Sequence, residues 1–238
     1  MHSANSSFDH PHILQSFDEE LNQLNDLLLK VANLTLYRLE LSIQALNQQS
    51  CDKALIIIAQ DATFRHLHAE LDQTILSILA RQCPVASDLR SIVAISKISG
   101  ELDRINLELS KIARLILELF EPRLGGVNLD LADEIISSGQ LVETMLKKLV
   151  LSLWNRHSTQ AYALLACSQN YQHDLQTGTQ RQLAIAASDA RLVGRSLDSM
   201  EILKAIEHCC EYCRSIAEHL ILMFDGEDIR HQTLFGHY

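Results

Sequence analysis

Two segments of this sequence carry the same pattern of apolar residues, 104 positions apart. In each segment, 97–117 and 201–221, six apolar residues follow one another at spacings of 4-3-4-3-4. They are Ile98, Leu102, Ile105, Leu109, Ile112 and Ile116 in the first, and Ile202, Ile206, Cys209, Cys213, Ile216 and Leu220 in the second. This spacing is typical of the buried stripe of a helix that packs at a shallow angle in a bundle. The repeat therefore predicts a protein built from two similar halves.

The composition favours an all-α protein. Only 8 Gly and 3 Pro occur in 238 residues, whereas a β-rich chain of this length would need many more turn residues. Hydrophobic residues make up 47%, which is enough to bury a substantial core. The net charge of -10 argues against nucleic acid as the main partner, because phosphate contacts need a clustered basic surface.

The sequence also favours a cytoplasmic protein with reduced thiols. Its longest apolar runs, such as residues 54–59, are too short to cross a bilayer. The first twelve residues lack the positive region and apolar stretch of a signal peptide. The six cysteines fall largely at helical core spacing, which favours free thiols over disulfides.

Start and stop signals divide the chain into six helical segments. The Ser-Phe-Asp-Glu sequence at 16–19 has the form of a capping box, so we expect the first helix to begin there and to last to about Asn47. Ser50 predicts the start of the second helix. Pro84 separates it from the third, which should end before Pro122.

The second half repeats this plan, with Ser158 standing where Ser50 stood and Trp154 expected in the core. We therefore expect two tandem three-helix bundles, six long helices related by the internal repeat. The expected organisation is a flexible tail at 1–14, a first unit at 15–122, a second unit at 128–228 and a C-terminal tail at 229–238.

Several polar residues lie one step away from an apolar stripe. His68 and Asp72 are one helical turn apart, and so are Glu207 and Glu211. Asp103 occupies the position that the repeat matches to Glu207. Two carboxylates one turn apart repel each other, and a cation or a basic partner would remove that cost. The alternative is that these residues form a solvated helix flank.

Other reactive side chains have structural interpretations. The three thiols at 209, 210 and 213 suggest zinc, but zinc sites draw paired ligands from at least two segments. Cys209 and Cys213 belong to the apolar stripe itself, so small core residues are the favoured interpretation. For the isolated histidines we expect surface positions or interhelical hydrogen bonds: His66, His157, His173 and His219.

Three short motifs are not explained by helix periodicity alone. They are Pro-Val-Ala-Ser-Asp-Leu-Arg at 84–90, Glu-Leu-Asp-Arg-Ile at 101–105 and Gly-Glu-Asp-Ile-Arg-His at 226–231. Together they resemble the PhoU family of phosphate-signalling proteins, which has a Pro-x-Ala-x-Asp-Leu-Arg turn into the third helix, a Glu-Leu-Glu-Arg-Ile sequence and a Gly-x-Asp-x-Arg-His signature. The resemblance covers about residues 15–232.

The resemblance implies metal binding through acid-x-x-x-Asp pairs, which would hold a divalent or iron-type ion. His68 and Asp72 stand where a Glu and an Asp are expected, while Asp103 keeps its acid but has Leu107 as its partner position. Glu207 and Glu211 form a complete carboxylate pair. The companion helix around 172–179 offers only His173 and Asp174, so the set for a full multinuclear cluster is incomplete.

The resemblance also implies a non-enzymatic cytoplasmic regulator of phosphate uptake and of the phosphate-starvation response. It would be an adaptor between a phosphate ABC transporter and a sensor histidine kinase, and a homodimer. One alternative is a divergent metal-binding or purely structural adaptor that serves another transporter. Another is a di-metal enzyme, but the Glu-x-x-His pairs that such a site needs are missing from the sequence.

Overall fold

Every regular element in the described part of the chain is an α-helix, as the sequence predicted. The computed structural model describes residues 9–120, 130–167, 177, 180, 183–184, 187 and 193–229. The helices are α1 (Asp9–Gln48), α2 (Cys51–Ala59), α3 (Asp61–Gln82), α4 (Ala86–Leu119), α5 (Asp130–Asn155), α6 (Thr159–Cys167) and α7 (Val193–Phe224). Among these seven, none has both the length and the apolar content needed to cross a membrane.

The first helix begins earlier than the capping box indicated. Because α1 starts at Asp9, Ser16 lies inside the helix, and the predicted start was wrong. Pro11 falls in the first turn, where its missing N–H takes no hydrogen bond away from the helix. Residues 9–14, expected in the N-terminal tail, are therefore helical, and residues 1–8 lie outside the described part.

The second predicted segment starts where expected but consists of two helices. The Ser50 hydroxyl accepts a hydrogen bond of 3.4 Å from the Lys53 amide, which confirms the predicted cap. The helix then divides at Gln60, whose amide still bonds to the Ile56 carbonyl at 3.1 Å. This division gives α2 and α3. The expected linker at 123–128 lies outside the described residues.

The two repeated stripes are confirmed as core. Each of their twelve side chains is at most 2% exposed. Their helices, α4 and α7, pack against each other more extensively than any other pair among the described helices. The polar contacts along this seam show that the two run antiparallel: Glu108 contacts His208 at 2.8 Å, and Ser215 donates to Glu101 at 3.0 Å.

A ring of four helices joins the two halves. α1 packs on α4 and α5, and α7 packs on the same two helices from the other side. α2 and α3 cover α1 and α4, while α6 covers α5 and α7. Each half therefore contributes two ring helices, and the buried side chains of both halves form a continuous core. The domain boundaries given above stay a prediction.

The expectation for Trp154 was wrong, since its side chain is 71% exposed. The stripe of α5 passes through Leu149 and reaches Ser152, which is fully buried. Trp154 lies two residues further, about 200° around the helix, and therefore points away from the core.

The burial along α4 generates a stability prediction for two leucines two residues apart. Leu109 is fully buried, so we expect Leu109→Ala to lower the free energy of unfolding by about 2–5 kcal/mol, through lost burial and the cavity it leaves. Leu107 is 63% exposed, so Leu107→Ala should change it by less than about 0.5 kcal/mol. Urea denaturation followed by circular dichroism measures both, and similar losses for the two variants would contradict the packing.

Candidate functional site

The core stripe of α1 continues onto polar side chains. Leu24, Leu28 and Val31 are fully buried, and the same 4-3 spacing leads on to Thr35 and Arg38. The Arg38 side chain is only 1% exposed. Burying a guanidinium is costly unless it is paired and hydrogen-bonded. This charged residue at a core position was the sequence signal for a buried polar site, and our sequence analysis missed it because it followed the stripe only to Val31.

Two helices, α3 and α4, supply the side-chain partners of Arg38. Its guanidinium forms an ion pair with Asp61 at the start of α3. It also donates to Asn106 Oδ1 at 2.8 Å and to Ser110 Oγ at 2.9 Å, both on α4. Its carbon Cζ lies 5.8 Å from the centre of the Phe64 ring. These contacts fix α1, α3 and α4 relative to one another.

The partners of Arg38 are themselves hydrogen-bonded. The Asn106 amide donates to Thr35 Oγ1 at 2.7 Å, and the Ser110 hydroxyl donates to Asp61 Oδ1 at 2.6 Å. Burial lowers the pKa of Arg38 from its usual value, and the Asp61 carboxylate opposes that shift. Arginine nevertheless stays charged in proteins. The network therefore places one fixed positive charge inside the first half.

A cavity of about 280 Å³ opens beside this network. Besides the network residues, its walls carry Phe64, Arg65, Asp103, Leu107 and Arg114. The structure thus places the predicted residue Asp103 at a cavity that also carries three guanidinium groups. Positive charge at this density disfavours a metal cation, because each guanidinium repels it.

The other predicted residues of the first half form a separate pair. His68 Nδ1 and Asp72 Oδ2 are 3.8 Å apart on α3, and the Ser99 hydroxyl donates to Asp72 at 3.4 Å. The His68 ring stacks on Phe64 with a centroid distance of 5.8 Å. Phe64 lines the cavity, whereas His68 and Asp72 do not, so the Phe64 ring lies between the cavity and His68.

Glu207 and Glu211 lie one turn apart on α7, the first half-buried and the second exposed. In the described part of the chain, no three His, Cys, Asp or Glu side chains come together as metal ligands. These residues therefore do not fit a multinuclear cluster. Most of the companion segment at 172–179 lies outside the described residues, and metal binding at the predicted positions stays a prediction.

Comparisons with known proteins agree on one family. The family model "PhoU domain" matches residues 28–116. A protein of Pseudomonas aeruginosa named phosphate-specific transport system accessory protein PhoU homolog is 28% identical, over 92% of this chain and 90% of its own length. The crystal structure of PhoU from Pseudomonas aeruginosa superposes with a TM-score of 0.84 at 26% identity, covering 89% of this chain and 100% of that one. The chain is therefore similar to PhoU proteins over nearly its whole length, with the PhoU domain itself matched in the first half.

More distant PhoU proteins extend the comparison. The accessory protein PhoU of Escherichia coli is 24% identical, over 92% of this chain and 90% of its own. PhoU from Streptococcus pneumoniae, a phosphate transport system regulatory protein, shares the fold with a TM-score of 0.78 at 20% identity. The resemblance drawn from three short motifs is thus confirmed across nearly the whole chain.

Two of the PhoU-like motifs meet in the structure although they are far apart in sequence. Arg90 lies in the second turn of α4, and Gly226 follows the C-terminal end of α7. A Cβ on Gly226 would lie 3.0 Å from Arg90 Nη1, and the glycine has a φ of +77°, in the left-handed region. The left-handed backbone therefore favours glycine at position 226, and a Cβ there would also require the Arg90 side chain to shift.

The thiols of α7 are core groups, as the sequence favoured. Cys209, Cys210 and Cys213 are buried. Burial raises the pKa of all three thiols, that of Cys210 to about 12, with a further contribution to Cys210 from Glu207 and Glu211. These thiols are therefore protonated and shielded at neutral pH, which makes them poor nucleophiles and poor metal ligands.

We expect the thiols to differ sharply in reactivity. Cys83 is exposed and should react readily with a disulfide reagent such as dithionitrobenzoate at pH 8. The three buried thiols of α7 should react only after unfolding, and mass spectrometry of the labelled peptides distinguishes them. Rapid labelling of Cys210 in the folded protein would contradict its burial.

Proposed function

We propose that this chain regulates phosphate-specific transport and catalyses no reaction itself. The observation that supports this most strongly is the extent of the match with accessory proteins of phosphate-specific transport systems. The relatives from Pseudomonas aeruginosa and Escherichia coli each cover 92% of this chain and are covered over 90% of their own length. The similarity therefore extends over nearly the whole length of these relatives.

The proposed mode of action is that of a cytoplasmic adaptor. Its proposed partners are components of a phosphate ABC transporter, a sensor histidine kinase and a second copy of itself. The start of α4 supports docking, because Leu89 and Val93 are exposed one turn apart on the same helix face, and Val85, the residue just before the helix, is exposed too. Such a face can pack against a partner helix. Light scattering of the purified protein measures self-association.

Deletion of the gene should derepress phosphate uptake and phosphate-starvation genes when phosphate is plentiful. A plasmid with the intact gene should restore repression, whereas Leu89→Asp should not, because a charge on the exposed apolar face opposes docking without disturbing the core. Phosphate accumulation and starvation-gene transcripts in high phosphate are the measurements. Unchanged uptake and transcripts in the deletion strain would refute the regulatory role.

We also propose that any metal bound by this protein lies at Glu207 and Glu211, which together provide two carboxylates one turn apart. Glu207→Gln combined with Glu211→Gln should then abolish bound metal, while Asp103→Asn, beside the guanidinium groups, should leave it unchanged. Elemental analysis of purified protein gives the metal content. Equal content in the double variant and the parent would refute the assignment.

A further inference from the structure

The cavity beside Arg38 has an excess of positive charge in a protein of net charge -10. Three guanidinium groups line it, from Arg38, Arg65 and Arg114, against the two carboxylates of Asp61 and Asp103. Three positive and two negative groups leave a net charge of +1 at the cavity. The local sign is therefore opposite to that of the whole chain.

The Asp61 charge is already counted in this balance, and its carboxylate is shared among several groups. One oxygen pairs with Arg38 and accepts from the Ser110 hydroxyl, and the other lies 4.0 Å from Arg114 Nη2. Arg65 pairs with no carboxylate in the described part of the chain. The guanidinium donors of Arg65 and Arg114 are therefore largely unsatisfied by protein groups.

The unsatisfied donors stand at the entrance of the cavity. The Arg114 side chain is 62% exposed, and Arg65 is exposed one residue after Phe64. Arg65 is also close enough for its charge to lower the pKa of Arg38. Guanidinium groups present a fork of donors that matches the paired oxygens of carboxylate and phosphate.

The size of the cavity limits what it can hold. A volume of about 280 Å³ lies just below the range of about 300–1,000 Å³ typical of pockets for drug-sized molecules. The cavity thus has room for an inorganic ion or a metabolite of few atoms. Phe64 and Leu107 supply an apolar wall. The Asn106 amide already donates to Thr35 Oγ1 and to the Leu102 carbonyl, so the donors left for a ligand are those of the entrance arginines.

We propose that this cavity is a binding site for a small oxyanion, held between Arg65 and Arg114 at its entrance with Arg38 as the fixed charge behind them. A carboxylate or phosphate group satisfies the free guanidinium donors and offsets the excess charge. Arg38 and its network fix the depth of the cavity, while the two entrance arginines adjust to the ligand. This proposal is independent of the transport role, since binding is a property of the isolated protein.

The test is calorimetric titration of the full-length protein with inorganic phosphate, sulfate and malonate, with sodium chloride at equal ionic strength as the reference. We expect at least one oxyanion to bind with 1:1 stoichiometry per chain and to raise the melting temperature. Arg65→Gln with Arg114→Gln should weaken that binding at least tenfold, because charge-assisted hydrogen bonds are lost. The three probes show whether phosphate, sulfate or carboxylate is preferred.

Arg81→Gln is the matched control. Arg81 lies on α3, as Arg65 does, and its side chain is 61% exposed, close to the 62% of Arg114. It pairs with Glu20 at 3.4 Å and does not line the cavity. The Arg81→Gln variant should bind the oxyanion with the same affinity as the parent protein. The proposal is overturned if none of the three oxyanions binds, if the double variant binds as tightly as the parent, or if the cavity instead binds Mg²⁺ in a manner abolished by Asp103→Asn.

Discussion

The antiparallel contact between α4 and α7 is the constraint on which the rest of this structure depends. These two helices carry the repeated stripes, and every side chain of both stripes is buried. Burial of one Leu or Ile side chain contributes about 1.5–3 kcal/mol, so this seam is a major source of stability. α1, α2 and α3 all pack on α4, while α5 and α6 pack on α7. The seam therefore sets where the remaining helices can lie.

The two halves use the same packing with different chemistry. The repeat pairs Asn106 with Cys210 and Ser110 with Arg214. In the first half these α4 positions hold the buried ion pair of Arg38 and Asp61, whereas Cys210 is a protonated core thiol. A buried ion pair adds little net stability, because desolvation offsets much of the attraction. The Arg38–Asp61 pair instead fixes three helices around a polar cavity. Among the residues that the structure describes, Cys210, at the matching position of the second half, is not part of any such polar network.

This divergence bears on the acidic positions that the family resemblance singled out. Asp103 and Glu207 match in the repeat, yet Asp103 lines a cavity with three guanidinium groups while Glu207 has a second carboxylate one turn away. The surroundings of Asp103 therefore favour an anionic ligand, whereas those of Glu207 favour a cation or a basic partner. The proposed docking and the proposed anion binding are compatible, because the cavity lies beside residues 103–114 of α4 and the exposed apolar face lies at the start of that helix.

The sequence alone determined the helical class, the two repeated stripes, the Ser50 cap and the resemblance to PhoU proteins, because apolar periodicity and short motifs are local properties. It failed where several solutions satisfy the same local pattern, as at Ser16, which fits a helix interior as well as a cap, and at Trp154, whose exposure depends on the angle around α5. Only the tertiary structure brought Arg38, Asp61 and Asn106 together. They lie on three different helices, and Asp61 and Asn106 follow Arg38 in the sequence by 23 and 68 residues. The cavity depends on how those helices pack, and long-range packing is not encoded in any single segment.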